Sequence, residues 1–306
     1  MSLFLRKEVF FVKFPIIFPV IYLTVLYSFP SLETHLIFFT ILILAETHFG
    51  ATWPFFLDKV NIPYIKQKKI ELIVIPILLT LFCIIGFFYF KSFFLLIFFA
   101  ANMYHVTRQS YGIMNLYTKQ PLEKVHYSNI IYVFNFFFFL IAFFRFYMSI
   151  ITEDNLLILN FVVILSMLTI FLFEFKKFGF SENFLTLITG VLIFYPVCFV
   201  ENPVHAIIMG VTMHYSQYLY LTSKVIDKRN VENDLNKKSK ILSFLFIIII
   251  YSTIMSVLSI FGKNDSEILK TLIFIPITGQ MLHFYLDSQL WKFSEQHNRE
   301  NILKHL

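Results

Sequence analysis

Four histidines stand inside apolar runs of this chain: His48 in "AETHFGATWPFFLD", His105 in "YHVTRQSYG", His214 in "TMHYSQYLYL" and His283 in "QMLHFYLDSQLW". An imidazole surrounded by hydrocarbon must find a hydrogen-bond partner on another helix or bear a desolvation cost. One shared metal ion satisfies four such rings at once and ties their helices together, so these residues are the expected metal ligands. Neutral imidazoles with no obligatory thiolate or carboxylate suit Fe(II), Zn(II) or Cu, and Fe(II) with open positions facing an apolar cavity suits chemistry with O2. One turn after each histidine, at i+4 and on the same helical face, come Thr52, Gln109, Tyr218 and Asp287. Each can hydrogen-bond, as the residue that orients a metal-bound imidazole must.

These residues need helices to hold them, and the sequence supplies them. The 306 residues are 58% hydrophobic and 14% charged, and apolar runs of bilayer-spanning length recur from end to end. Breaks at charges and turn residues place spans near 9–29, 33–57, 70–90, 93–117, 129–150, 156–175, 180–200, 203–223, 241–261 and 270–292. The expectation is an all-α, polytopic integral membrane protein: one helical domain over 1–306 with about ten transmembrane helices, in a bacterial inner (plasma) membrane. The run 9–29 reads as a retained first helix rather than a cleaved leader. With the N-terminus cytoplasmic, roughly twenty Lys and Arg fall on inner segments and about three on outer ones, so both termini are expected inside.

Under that topology all four histidines lie on helices running inward, and counting to the first cytoplasmic charge puts them within roughly 6 Å of one level. The formal charge of +6 is then a topology signal with some attraction to membrane lipid, and no nucleic-acid partner is expected. Cys83 and Cys198 sit inside apolar runs as packing residues. His35, His126, His205, His297 and His305 lie near span ends or in the polar tail and are weaker ligand candidates.

The order and spacing of "THFG", "YHVTRQ", "MHYSQY" and "LHFYLD" resemble the bacterial Brp/Blh family of integral-membrane carotenoid-cleaving dioxygenases, over about His48 to Asp287. That resemblance implies iron held by His48, His105, His214 and His283. It also implies a lipid-soluble substrate, with beta-carotene cleaved to retinal by O2. Asp287, Gln109 and Tyr218 would support the ligands. The chain departs from the family in carrying Tyr218 where a second histidine tends to stand, and Arg108 and Gln109 where small residues and an acid tend to stand. Arg108 is expected to hold a polar head group on the substrate, to pair with Asp287 or Glu46, or to reach the cytoplasmic interface.

Other classes fit the setting less well. A di-iron hydroxylase or desaturase needs clustered HxxxH and HxxHH pairs, which are lacking here. Two haems stacked across a membrane want ligands at two depths. A transporter, the non-enzyme alternative, would be favoured by Gly/Pro-broken helices in two similar halves.

Overall fold

The computed structural model describes residues 6–148, 151–232, 237–262 and 266–306, and side chains at 230–240 and 267–268 also lie outside the description. The N-terminal five residues and the charged connection 233–236 are therefore not among the described residues. What is described is 86% helix, with no strand. The principal helices are α1 (Ile17–Ser28), α2 (Pro30–Phe56), α3 (Ile62–Gln67), α4 (Ile70–Tyr89), α5 (Lys91–Tyr117) and α6 (Pro121–Phe146). They are followed by α7 (Glu153–Phe178), α8 (Glu182–Leu192), α9 (Pro203–Glu232), α10 (Lys237–Phe261), α11 (Phe274–Leu290) and α12 (Gln296–Asn301).

Among the described residues, five helices are long and apolar enough to cross a membrane: α2, α4, α6, α7 and the Ile241–Phe261 part of α10. The helices carrying His105, His214 and His283 (α5, α9 and α11) are not among them. Polar residues lower the hydropathy of α5 and α9, and α11, at 17 residues, is short for a span.

The chain divides into two compact units. One comprises Met1–Ile37 and Met103–Gln217, the other Phe38–Asn102 and Tyr218–Leu306, so the divisions fall within α2, α5 and α9.

Two of the expected spans, 9–29 and 180–200, are broken in the first unit, and 270–292 has a turn at 272–273 in the second. Residues 9–29 form a π-helical turn, Val9–Lys13, which stops at Phe14 ahead of Pro15 and gives way to α1. Proline removes a donor and disfavours helix in the residue before it, so the turn's last carbonyls need partners from elsewhere. They find them in side chains: Ser216 Oγ donates to Phe11 O (3.0 Å), Gln217 Nε2 to Val12 O (2.7 Å) and Thr189 Oγ1 to Lys13 O (2.8 Å). Lys13 itself is buried, paired with Glu182 and set over the Tyr117 ring.

Residues 180–200 likewise form no single helix. Ser181 caps α8 by accepting from Phe184 N (3.2 Å), and α8 ends at Leu192 ahead of a 3-10 turn, Tyr195–Cys198, that contains Pro196. Asn135 donates to Gly190 O (3.0 Å), Arg145 to Val197 O (2.8 Å) and Asn160 to Cys198 O (3.1 Å). In hydrocarbon each unsatisfied carbonyl would cost on the order of several kcal/mol, which is why a break occurs where α6 and α7 supply polar side chains.

In the second unit α2, α10 and α11 pack around Tyr251. Glycine at 50 and 279 makes room for it: a Cβ at Gly50 would lie 2.8 Å from Tyr251 Cδ1, and one at Gly279 would lie 2.7 Å from its hydroxyl. A second core layer is built on Phe55, Leu286, Leu290, Val225 and Ile302, with Trp291 stacked on Phe55 at 6.0 Å. The C-terminal segment closes this layer. His297 Nε2 bonds Asn61 Oδ1 (2.8 Å) while its ring stacks on Tyr64, and buried Arg229 donates to Asn301 O (2.6 Å) and pairs with Asp58 (3.5 Å).

Candidate metal centre

In the second unit His48 comes from α2 and His283 from α11. A π-helical turn, Ile41–Ala45, immediately precedes the stretch of α2 that carries His48. Both rings are fully buried and meet edge to face, with centroids 4.3 Å apart. Phe49 lies edge-on to His283 at 5.1 Å, so hydrocarbon seals one side of the pair.

The other side is polar. Thr52 Oγ1 is 2.6 Å from His283 Nδ1, 2.8 Å from Tyr218 OH and 3.2 Å from Asp287 Oδ1. Tyr218 OH donates to the same Asp287 oxygen at 2.6 Å, and Asp287 Oδ2 lies 3.8 Å from His283 Nε2. All four residues are at most 2% exposed.

The bonds that converge on Thr52 bear on the tautomer of His283. A threonine hydroxyl has one proton, and a carboxylate has none to give. The Tyr218 proton is committed to Asp287, and the Thr52 proton goes to Asp287 or to the Tyr218 oxygen. With the Thr52 proton so placed, Nδ1–H of His283 donates to Thr52, and the ring's lone pair then lies on Nε2.

In the first unit His105 of α5 and His214 of α9 form a second edge-to-face pair, with centroids 5.4 Å apart at 88°. They are 7% and 1% exposed. The hydroxyls near His105 turn to their own helix: Thr107 donates to Met103 O (2.7 Å) and Ser110 to Val106 O (3.0 Å). Gln109 is half-buried. Arg108 is exposed, donates to Tyr132 OH at 2.9 Å and lies over the Tyr111 ring at 5.0 Å. Among the described residues, histidine and aspartate side chains are grouped closely enough to hold a metal ion.

Beside the i,i+4 contact of His283 with Asp287, there is pairing between helices. Thr52, one turn after His48, bonds His283, and Tyr218, one turn after His214, bonds Asp287 and Thr52. The i+4 relation brings two side chains onto one face but leaves the outer one free to reach sideways to a neighbouring helix. Three of the other histidines are satisfied by protein groups: His126 by Glu174 (2.7 Å), His205 by Tyr22 and Glu33 (both 2.7 Å), and His297 by Asn61.

One polar contact in the second unit was not expected. Glu46, 1% exposed, accepts from Gln280 Nε2 at 3.1 Å. The signal was present as a lone carboxyl inside the apolar stretch that leads to His48.

Compared with known proteins, the chain matches no family model, no curated protein and no solved structure.

Proposed function

We propose that this chain is a membrane non-haem iron oxygenase that oxidises a hydrophobic polyene with O2, cleaving beta-carotene or a similar molecule to retinal. In this reading it has ten membrane spans in a bacterial plasma membrane, with both termini cytoplasmic. His48, His105, His214 and His283 are the iron ligands. The observation that carries the reading is the Thr52–Tyr218–Asp287 network, which holds the buried His283 imidazole through Nδ1. The donor set is compatible with the metal, because neutral nitrogen ligands with no thiolate accept a divalent iron as they do zinc or copper, and the iron choice rests on the oxygen chemistry proposed.

When bound, the iron supplies activation of O2. The chain's own residues do the rest. Thr52 and Asp287 fix the His283 ring, Tyr218 keeps the carboxylate in place, and Phe49 and Phe284 border the ring and keep water away.

The test is metal analysis of purified protein together with pigment extraction from beta-carotene-producing cells. One iron per chain, no Soret band and conversion of carotene to retinal are expected. A Soret band, or two irons per chain, would overturn the mononuclear site. Intact carotene beside an oxidised or desaturated membrane lipid would move the activity to a lipid hydroxylase or desaturase. Iron-free protein that moves a solute would move it to a transporter.

A further inference from the structure

Two apolar clefts open on the exterior of the molecule, one in each unit. The first unit's cleft, about 330 Å³, lies between α6 and α7 and is lined by Ile130, Val133, Phe134 and Leu159 among others. The second unit's cleft, about 470 Å³, lies among α2, α9 and α10. Its walls include Leu42, Ile43, Thr47, Leu219, Ile248 and Ser252. Only the second cleft shares a wall with the residues of the candidate metal centre. Leu219 follows Tyr218 and Thr47 precedes His48 in the chain, while Ile248 and Leu219 pack with Ala51 and Tyr218 in one cluster. The mouth is apolar and open: Ile43, Ile249 and Leu245 are 58%, 56% and 40% exposed.

Three of the four hydroxyl side chains in this cleft, those of Thr47, Ser252 and Thr253, bond backbone carbonyls, and Ser223 is the fourth. Ser252 donates to the Leu42 carbonyl in the π-helical turn, Thr47 to Leu44 O (3.1 Å) and Thr253 to Ile249 O (2.9 Å). A ligand here meets methyl and methylene groups. A polar head group would lose its hydration without a partner.

We infer that the cleft between α2, α9 and α10 is the lateral binding groove of the proposed oxygenase, and that it takes an extended hydrocarbon chain with no polar head group. The inference rests on the reading of the histidine cluster as a site for a lipid-soluble substrate. The cleft wall from Leu245 to Thr253 covers about 12 Å of helix at 1.5 Å per residue, which suits a segment of a linear polyene. Specificity for such a chain comes from the groove's length and from its mostly apolar walls, where three of four hydroxyls already bond backbone.

The experiment uses the full chain in lipid nanodiscs with a photoreactive probe, a linear C16 hydrocarbon bearing a mid-chain diazirine, and maps the labelled residues by mass spectrometry. Labelling of the 42–47 and 245–253 walls should exceed labelling of the first unit's cleft by about tenfold, the ratio set by 1.4 kcal/mol of preference. It should fall to the level of that control cleft in Ile249→Trp and in Leu245→Trp. Both residues face the exterior, so iron content and thermal unfolding should stay at wild-type values. Equal labelling of the two clefts, or undiminished labelling in both tryptophan variants, would mean ordinary boundary lipid and overturn the groove. Because labelling is read without turnover, selective labelling of an inactive protein would refute the oxygenase and keep the groove. Retinal formation with unselective labelling would do the reverse.

Discussion

The two histidine pairs have the same ring geometry and different surroundings. His48 and His283 lie beside a hydroxyl, a phenol and a carboxylate that are bonded to one another, whereas the hydroxyls beside His105 turn back to their own helix carbonyls. A ring held by hydrogen bonds has its tautomer and rotation fixed by named atoms. The arrangement around His283 is therefore sensitive to single polar substitutions.

The comparison breaks most completely if the pairs do not serve one metal. Replacing His48, His105, His214 or His283 by alanine should reduce iron from about one per chain to none and abolish activity, whichever pair is touched. Iron retained at half occupancy or more in one pair's variants, and lost in the other's, would show that the pairs do different work.

Backbone sensitivity of the first unit is the next largest effect. A Cβ at Gly210 would lie 2.0 Å from the Ile193 carbonyl oxygen, at the break after α8, and backbone there cannot yield cheaply. Gly210→Ala should therefore cost most of the folded protein, read as detergent-stable yield. Gly279→Ala should cost less, because its new methyl would meet only the far end of the Tyr251 side chain, which can shift.

Polar substitutions should then show the opposite bias. Asp287→Asn keeps an acceptor for Tyr218 and loses the charge, so it should keep most of the iron and lower activity by roughly 10–100-fold. Tyr218→Phe should act in the same direction. Arg108→Gln should change activity less than about twofold, since Arg108 is exposed and bonded to Tyr132. Full loss of iron in Asp287→Asn, with wild-type iron in His283→Ala, would mean that the carboxylate is the ligand and the histidine its support.

What the sequence could reveal follows the same division. Helices were legible wherever some twenty apolar residues ran together, and the four histidines were legible because imidazole is out of place in such runs. The breaks at Phe14 and after Leu192 were not, because hydropathy counts apolar atoms and is blind to carbonyls. Those carbonyls are satisfied by Ser216, Gln217, Asn135, Arg145 and Asn160, far away in the chain. Thr52, Tyr218 and Asp287 were legible as polar residues on the right helical faces. Their partners were not, since helical periodicity gives a face and says nothing about which helix stands opposite it.

The smallest expected effect tests whether polar fixing in the second unit extends to its C-terminal end. His297 is surrounded by Asn61, Tyr64, Arg229, Glu300 and Asn301. Burial, and then the Arg229 cation, holds its pKa below the ordinary histidine value, with Glu300 opposing them. The hydrogen bonds agree with that direction. Nε2–H can donate to Asn61 Oδ1, while Nδ1 lies 3.3 Å from the Asn301 amide nitrogen, which has only protons to offer. A proton on Nδ1 would face another donor, so the folded segment prefers the neutral ring. Above about pH 6.5 the ring is neutral in folded and unfolded chains alike, and the contact stabilises in full. As pH falls below that value the unfolded segment takes up a proton that the folded one resists, and stability is lost. Hydrogen exchange over 296–306 should therefore speed up between pH 7.5 and 5.5 once corrected for intrinsic rates, and His297→Gln should flatten the change. A profile equally steep in His297→Gln would assign the effect to another group and confine the polar fixing to the residues around His283.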